Sequence, residues 1–426
     1  MERNLNPVQS IDGIDSNSNQ VGEISPRFGI SEKLFVADEK GAIRFNTANA
    51  MVLMQNHRDW EDVVAYNEFA YEYVLTKEIP GTKAKEDNLP RRIRDEDLTD
   101  AVAWFNWNGF PTASKTVVGD VLLAHARLSV ISPVRHYMDD LEWDGVQRLS
   151  LWLPTVFGAE DNNYTRAVGR GMLISAVART YSPGCQVDTM VVFEGDQGEG
   201  KSKTMRTLCA GPDWFGDGLP SISANPKDAS VYLKGKLIVE MAELDAMKKS
   251  DVERTKSFIS RREEEYRPPY GKGTVREPRR SIFVGTTNED AYLRDTTGNR
   301  RFWPVKTEWA DHGYVEANRD QLWAEAVVAY RNDEPWWFTG EVERQAKTQQ
   351  AKRLVTDPWQ EVVEVWLAGR SEVSPAQIYR EALGILDSRL SSTDARRIAS
   401  ILRLLGYKNT GQFSTGEYKG YTRYQR

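Results

Sequence analysis

The sequence predicts an α/β protein whose core is a mostly parallel sheet, with a mainly helical domain before it and a small module of helices and a hairpin after it. Three observations carry that expectation. The stretch Gly195-Asp196-Gln197-Gly198-Glu199-Gly200-Lys201-Ser202 fits G-x-x-x-x-G-K-[ST], follows the apolar run Met190-Val191-Val192-Phe193, and leads into helix-compatible sequence over 203–208. Two further short apolar runs, Leu237-Ile238-Val239 and Ser281-Ile282-Phe283-Val284, alternate with helix-forming sequence, as strands of a parallel sheet do, with ligand expected at their carboxyl ends. Beyond Pro335 the composition turns charged and helix-forming, and helix caps and spaced glycines mark a separate unit from Asp357.

Taken in order, residues 1–30 are rich in Asn, Ser, Gln and Gly and read as a disordered tail. Residues 31–160 form the mainly helical domain. It opens with a hairpin of 34–37 and 42–45 about Lys40-Gly41, followed by helices near 48–53, 97–107 and 116–129, with a polar loop over 77–90. Asp95 and Asp97 form a D-x-D, but they sit in a charged run entering a helix rather than at a strand end. They are expected to be helix N-terminal acids, not a primase-type metal pair. The α/β domain spans 161–340, entered by an amphipathic helix over 164–181 that Pro183-Gly184 terminates. In 357–426, Asp357-Pro358 caps one helix, Ser374-Pro375 starts a second, and a third runs from Thr393 to Gly406. The Tyr- and Gly-rich remainder reads as a hairpin, so the module is expected to be winged-helix-like.

Composition bounds the class. The chain has 426 residues, 40% hydrophobic and 28% charged, with a net charge of −6. Cys185 and Cys209 show no redox or metal spacing, and His57, His125, His136 and His312 are scattered, so a zinc site or disulfide framework is not expected. No apolar run reaches membrane-spanning length and no leader pattern is present, giving the expectation of a cytoplasmic protein without a membrane partner. A net negative charge argues mildly against nucleic acid, but residues 266–280 hold five cations (Arg267, Lys272, Arg276, Arg279, Arg280) against Glu277, and 396–426 hold seven against Glu417.

The glycines of 195–200 let successive N–H groups turn inward toward phosphate, and the helix N-terminus adds partial positive charge behind them. Asp196, Gln197, Glu199 and Lys203 complete that nucleotide-binding set, with Lys201 reaching the β/γ-phosphates and Ser202 the magnesium. Hydrolysis further needs acids to order metal and water, and Glu240 and Glu243 end the apolar strand that begins at Leu237. Glu240, with Ser202, is read as the acid that assists magnesium and Glu243 as the one that polarises water, an order the residues alone do not fix. Gly285-Thr286-Thr287-Asn288 puts an asparagine at the tip of the next strand, able to bond water or the γ-phosphate without adding charge. Gly298-Asn299-Arg300-Arg301-Phe302-Trp303-Pro304 offers Arg300 or Arg301 as a cation supplied to a neighbouring subunit. Between them, Arg267, Tyr270, Lys272 and Arg276 surround a Gly-Lys-Gly turn suited to a hairpin that touches a nucleic-acid backbone.

The order of phosphate loop, Glu-x-x-Glu strand, R-P-P-Y-G hairpin, G-T-T-N and G-N-R-R-F-W-P resembles the virulence-associated protein E family of phages, prophages and genomic islands. Tyr66-Asn67-Glu68-Phe69, the stretch from Tyr137 to Trp143-Asp144-Gly145 with Arg148-Leu149, and Ala178-Arg179 match as well, so the likeness covers roughly residues 45–310. That family in turn resembles the superfamily 3 helicases, a branch of the P-loop AAA+ ATPases. The resemblance implies an ATP- and Mg2+-dependent helicase of phage replication, translocating on single-stranded DNA as a homo-oligomer, a hexameric ring, in the bacterial host cytoplasm alongside a separate primase or other replication proteins. It also implies Lys201 and Ser202 as the phosphate-loop pair, Glu240 and Glu243 as the acids, Asn288 as sensor, Lys272 as the DNA-touching residue and Arg300 or Arg301 as the finger. Two alternatives stand beside it: a replication initiator or loader without processive unwinding, and a nucleotide-gated DNA-binding regulator.

Overall fold

The computed structural model describes residues 24–82, 89–242, 249–268, 273–293, 298–355, 357–385 and 391–426. Its centre is a five-stranded, wholly parallel sheet in the order Phe302–Lys306, Met190–Glu194, Ile282–Thr287, Ile238–Met241, Phe215–Gly216. Both faces of such a sheet are covered, so its inner strands read as unbroken apolar runs, and Met190–Glu194 is buried at every position. Alternate side chains divide between two cores. Val191, Phe193, Ile238, Ile282, Val284 and Trp303 face one layer, which holds Asn163–Tyr181 and His312–Arg331. Met190, Val192, Val239, Met241 and Phe283 face another, with Val252, Phe258 and Ile259 of Lys249–Ile259.

The α/β unit begins earlier and ends later than 161–340. Val134, Met138, Leu149, Trp152, Leu153, Val156 and Phe157 all lie in the sheet's own core. At the other end Gln350 Nε2 donates to the Phe302 carbonyl at 2.9 Å, and Leu354 bridges Leu293 in parallel. The apolar residues of 134–157 carry no strand signal, so nothing in their spacing ties them to the sheet.

The N-terminal part has a core of its own built on Trp60, Leu53, Trp104, Phe105, Val118 and Leu122. Its helix Lys115–Ala126 packs on a four-stranded sheet that the expectation of a mainly helical domain did not contain, and Thr47–Asn56 and Asp95–Trp107 pack against that helix. The strands Arg91–Arg92, Glu72–Leu75, Val64–Asn67 and Val130–Ile131, in that spatial order, are too short for a two-residue period to register. The hairpin expected over 34–45 is reduced to one bridge between Ala37 and Ile43, and the Asn49 side chain takes the backbone groups of Val36 and the Arg44 carbonyl that a longer ladder would pair. The tail also ends sooner than residue 30: Phe28 is 0% exposed, wedged against Phe35 and Phe110, and Ile24 bridges Ser31. Asp97 is a helix N-terminal acid, accepting from Arg94 N at 2.6 Å and from both Arg91 terminal nitrogens at 2.8 and 2.7 Å.

The two parts interlock at the turn after Val64–Asn67. Asn67 Oδ1 accepts from Phe69 N and Ala70 N at 3.0 and 3.2 Å, and the turn carries Phe69 into the core of the α/β unit beside Trp214. The C-terminal module has a separate core of Val363, Leu367, Ile378, Ile398, Ile401, Leu402 and Tyr424, with helices Gln360–Leu367 and Ser392–Leu404 and a three-stranded sheet in the order Glu372–Val373, Thr422–Gln425, Lys408–Gln412. Asp357, expected as a helix cap, lies one turn earlier: Gln360–Leu367 has Trp359 at its N-cap, and Asp357 accepts from Trp359 N at 2.9 Å and holds Arg397 by two 2.7 Å bonds. Among the described residues no helix is long and apolar enough to cross a membrane.

Candidate nucleotide-binding site

The loop after Met190–Glu194 turns at the carboxyl edge of the sheet. Gly198 and Gly200 take φ of +91° and +90°, a region that side chains other than glycine rarely adopt, and Gly200 starts the helix Lys201–Leu208. Gly195 is needed for a different reason: a Cβ there would lie 2.3 Å from Thr307 Oγ1 and 2.5 Å from Glu199 Oε2. Gly195 N donates to the Thr287 carbonyl at 3.1 Å, stitching the loop to the neighbouring strand.

Side chains of three strand ends converge above this loop. A cavity of about 450 Å3 is lined by Gly195, Gln197, Gly198, Glu199, Gly200, Lys201, Ser202 and Lys203, closed on the far side by Glu240, Thr286 and Asn288. Lys201 is buried, its Nζ donating to the carbonyl oxygens of Gly195 and Asp196 at 2.9 and 2.6 Å and lying 3.3 Å from Glu199 Oε2. Ser202 Oγ and Thr286 Oγ1 each donate to Glu240 Oε1 at 2.8 Å. Glu240 Oε2, equally buried, has no hydrogen-bond partner among the described residues. A buried carboxylate oxygen without a donor is costly, and beside a serine hydroxyl at a phosphate loop it fits a hard cation or its water ligands. Lys203 Nζ sits 2.9 Å from His312 Nε2.

The structure thus brings Lys201, Ser202, Glu240 and Asn288 to one cavity. Glu243, Tyr270 and Lys272 lie outside the described residues. Arg300 and Arg301 do not line the cavity. Arg300 is 75% exposed with Asp188 3.7 Å away, and Arg301 Nε donates to Ser260 Oγ at 2.7 Å. Arg267 and Arg276 are exposed on the hairpin of Glu263–Tyr266 and Val275–Pro278, where Arg276 lies 3.4 Å from Glu265. The basic stretch needs correction as a unit. Arg279 is buried against Glu264, its Nε donating to Oε1 at 2.7 Å, and Arg280 turns inward to Tyr71 and Glu68. Arg279 and Arg280 are adjacent yet both turn inward, each to its own carboxylate, while Arg267 and Arg276 stay outside, so the cations of the stretch do not form one surface.

Sequence reasoning missed four contributors. Thr286 shares Glu240 with Ser202, and only its place in Gly285-Thr286-Thr287-Asn288 hinted at a role. Thr307 Oγ1 donates to the Glu194 carbonyl at 2.9 Å and to Glu199 Oε2 at 3.3 Å. Glu194, just before the loop, accepts from Arg353 Nε at 2.8 Å and Nη2 at 2.7 Å and from Tyr292 OH at 2.8 Å. Burial disfavours the Arg353 charge, but the bonds from Glu194 outweigh it and hold the guanidinium above its ordinary pKa. Burial beside the same carboxylate pushes the Tyr292 phenol well up. No motif marks Arg353.

A parallel sheet under a glycine-rich loop that opens onto a polar, carboxylate-lined cavity defines a mixed α/β protein with a candidate site at its strand ends. A model of the virulence-associated protein E-like domain matches residues 138–355, just over half of the 426-residue chain, and the chain belongs to that family. No curated protein matches. Among solved structures, the A-form apo structure of the NrS-1 C-terminal region (305–718) is similar at 14% identity and a TM-score of 0.46, covering 85% of this chain and 95% of that one. A further apo structure of the same region gives 13% identity and a TM-score of 0.45 over the same shares.

Proposed function

We propose that this chain is an ATP-dependent DNA helicase of phage or prophage replication, working on single-stranded DNA as a ring of identical copies. The reading is supported above all by the shared cavity of Lys201, Ser202, Glu240, Thr286 and Asn288, since nucleotide hydrolysis needs a phosphate cradle, an acid and a polar sensor at one point. Family membership supports the replication setting.

Loop N–H groups and Lys201 bind the phosphates, with Lys201 exchanging its loop carbonyl partners for phosphate oxygens. Ser202 and Glu240 would hold Mg2+, which would supply positive charge against that developing on the phosphoryl group. Glu240 Oε2 is the acceptor left for water or metal, while Asn288 orients water without adding a negative charge. Glu243 is the second acid of this proposal. Exposure favours Arg300 over Arg301 as the cation offered to a neighbouring copy, because Arg301 is engaged with Ser260. Tyr270 and Lys272, with the exposed Arg267 and Arg276, contact the DNA backbone.

The test is ATP turnover with and without single-stranded DNA, paired with strand displacement on a forked duplex. DNA-stimulated turnover and displacement, both abolished by Lys201→Ala, are expected. Turnover indifferent to DNA overturns the helicase reading, and stimulated turnover without displacement turns it into a loader.

A further inference from the structure

We infer that Arg353, beyond every recognisable motif, is a positioning residue for the phosphate loop, acting through Glu194. The inference rests on the reading of the 195–202 loop as a nucleotide site.

Glu194 is the last residue of the strand that delivers the loop, and it is 4% exposed. An ionised carboxylate at such a place is stable only when fully paired. Arg353 supplies the charge from outside the sheet, just after the helix Gly340–Lys352, with Nε contacting both carboxylate oxygens at 2.8 and 3.1 Å and Nη2 reaching Oε2 at 2.7 Å. Its Nη1 donates to the Gln349 carbonyl at 3.2 Å, which fixes the guanidinium plane. The planar fork matters, since a lysine would deliver one point charge in place of two parallel bonds.

From Glu194 the connection runs directly into the loop. Its carbonyl accepts from Thr307 N at 2.7 Å and Thr307 Oγ1 at 2.9 Å; the same hydroxyl reaches Glu199 Oε2, which lies 3.3 Å from Lys201 Nζ. Arg353 also grips the opposite wall. Its carbonyl accepts from Tyr292 N and Leu293 N at 3.2 and 2.9 Å, shortly after Asn288, while Tyr292 OH returns to Glu194. One side chain and its backbone therefore tie the cradle and the strand tip that closes the cavity to the segment leading toward the C-terminal module. A purely structural pair would have no reason to sit at the residue preceding the loop, with its chain of bonds ending on Lys201.

The test uses the full chain. Binding of a fluorescent ATP analogue and steady-state ATP turnover are measured for Arg353→Met, Glu194→Gln and the double variant, with Arg170→Met as control. Arg170 forms a comparable part-buried pairing with Glu334 and Glu325, but none of these residues lines the cavity. Each single variant is expected to raise KM and Kd for nucleotide by about tenfold or more, with the double variant no worse than Arg353→Met. Arg170→Met is expected to lower the thermal midpoint and leave KM unchanged. If Arg353→Met fails to fold, Arg353→Lys and Tyr292→Phe carry the test, each with a smaller rise in KM at a near-normal thermal midpoint. Nucleotide binding by the unaltered chain with unchanged KM in the Arg353 and Tyr292 variants overturns the inference alone. Absence of nucleotide binding by the unaltered chain overturns the reading beneath it as well.

Discussion

The glycine-rich loop 195–202 and the basic stretch 266–280 are both features read from the sequence, yet they fold to opposite outcomes. The loop's residues converge on one cavity, whereas the described cations of the basic stretch scatter, Arg279 and Arg280 inward and Arg267 and Arg276 outward. The difference lies in what each pattern specifies. Glycines at set intervals between a strand and a helix constrain the backbone, and the backbone aims the side chains. A run of charges constrains nothing, because the nearest carboxylate decides which cation turns inward.

That contrast can be broken by substitution. The largest effect is expected from Arg279→Met: removing one partner of a buried pair strands Glu264 and costs about 3–5 kcal/mol in urea unfolding, although sequence counting would class Arg279 as a surface cation. A stability change under 1 kcal/mol would erase the distinction. Next comes Lys201→Ala, expected to cut ATP turnover by roughly 10²- to 10³-fold with unfolding stability little changed, the reverse profile. Glu240→Gln should keep nucleotide binding and lose turnover, measured by fluorescent-analogue titration beside phosphate release. Smaller still, Arg276→Ala should weaken single-stranded DNA binding uniformly across sequences and reduce the log–log salt slope by about 1, leaving stability within about 0.5 kcal/mol.

The smallest effect concerns the C-terminal module. Burial would raise the Asp357 carboxyl, but the bonds from Arg397 and Trp359 N outweigh it, and its pKa lies below the usual value. A depressed folded pKa contributes stability that is present above about 3.9 and is lost as pH falls through the folded value. Amide protection across Gln360–Leu367, measured relative to the intrinsic exchange rate at each pH, should therefore fall on acidification below that range, and Asp357→Asn should remove the dependence at a cost of at most about 1 kcal/mol, since the pair is partly exposed.

The parallel sheet was legible because its buried strands are unbroken apolar runs, and the cavity because one motif pins a loop between two of them. The other stretches that resemble the family carried no visible role, and their geometry explains why. Arg148 clasps Asp144 while Arg148 N and Leu149 N share Glu325 Oε2, and Arg179 spans the carbonyls of Arg279 and Val187. These are staples between segments 100 or more residues apart in several cases, and no local period encodes them. Two-residue strands such as Arg91–Arg92 and Val130–Ile131 escape for the opposite reason, being shorter than any pattern. Arg353 shows both limits at once, since its partner is 159 positions away and its own surroundings look like ordinary helix-forming sequence.

Phe69 has a consequence for how the chain is made. Synthesis runs from the N-terminus, and residues 28–126 can close their own core soon after leaving the ribosome. Phe69 does not join them, because the turn held by Asn67 carries it into the core of the α/β unit against the Trp214 ring. Until those residues emerge, a folded N-terminal body carries an aromatic ring facing water, with its binding place not yet translated. The interval between the two is a window in which a chaperone, or a second nascent chain, meets that ring first.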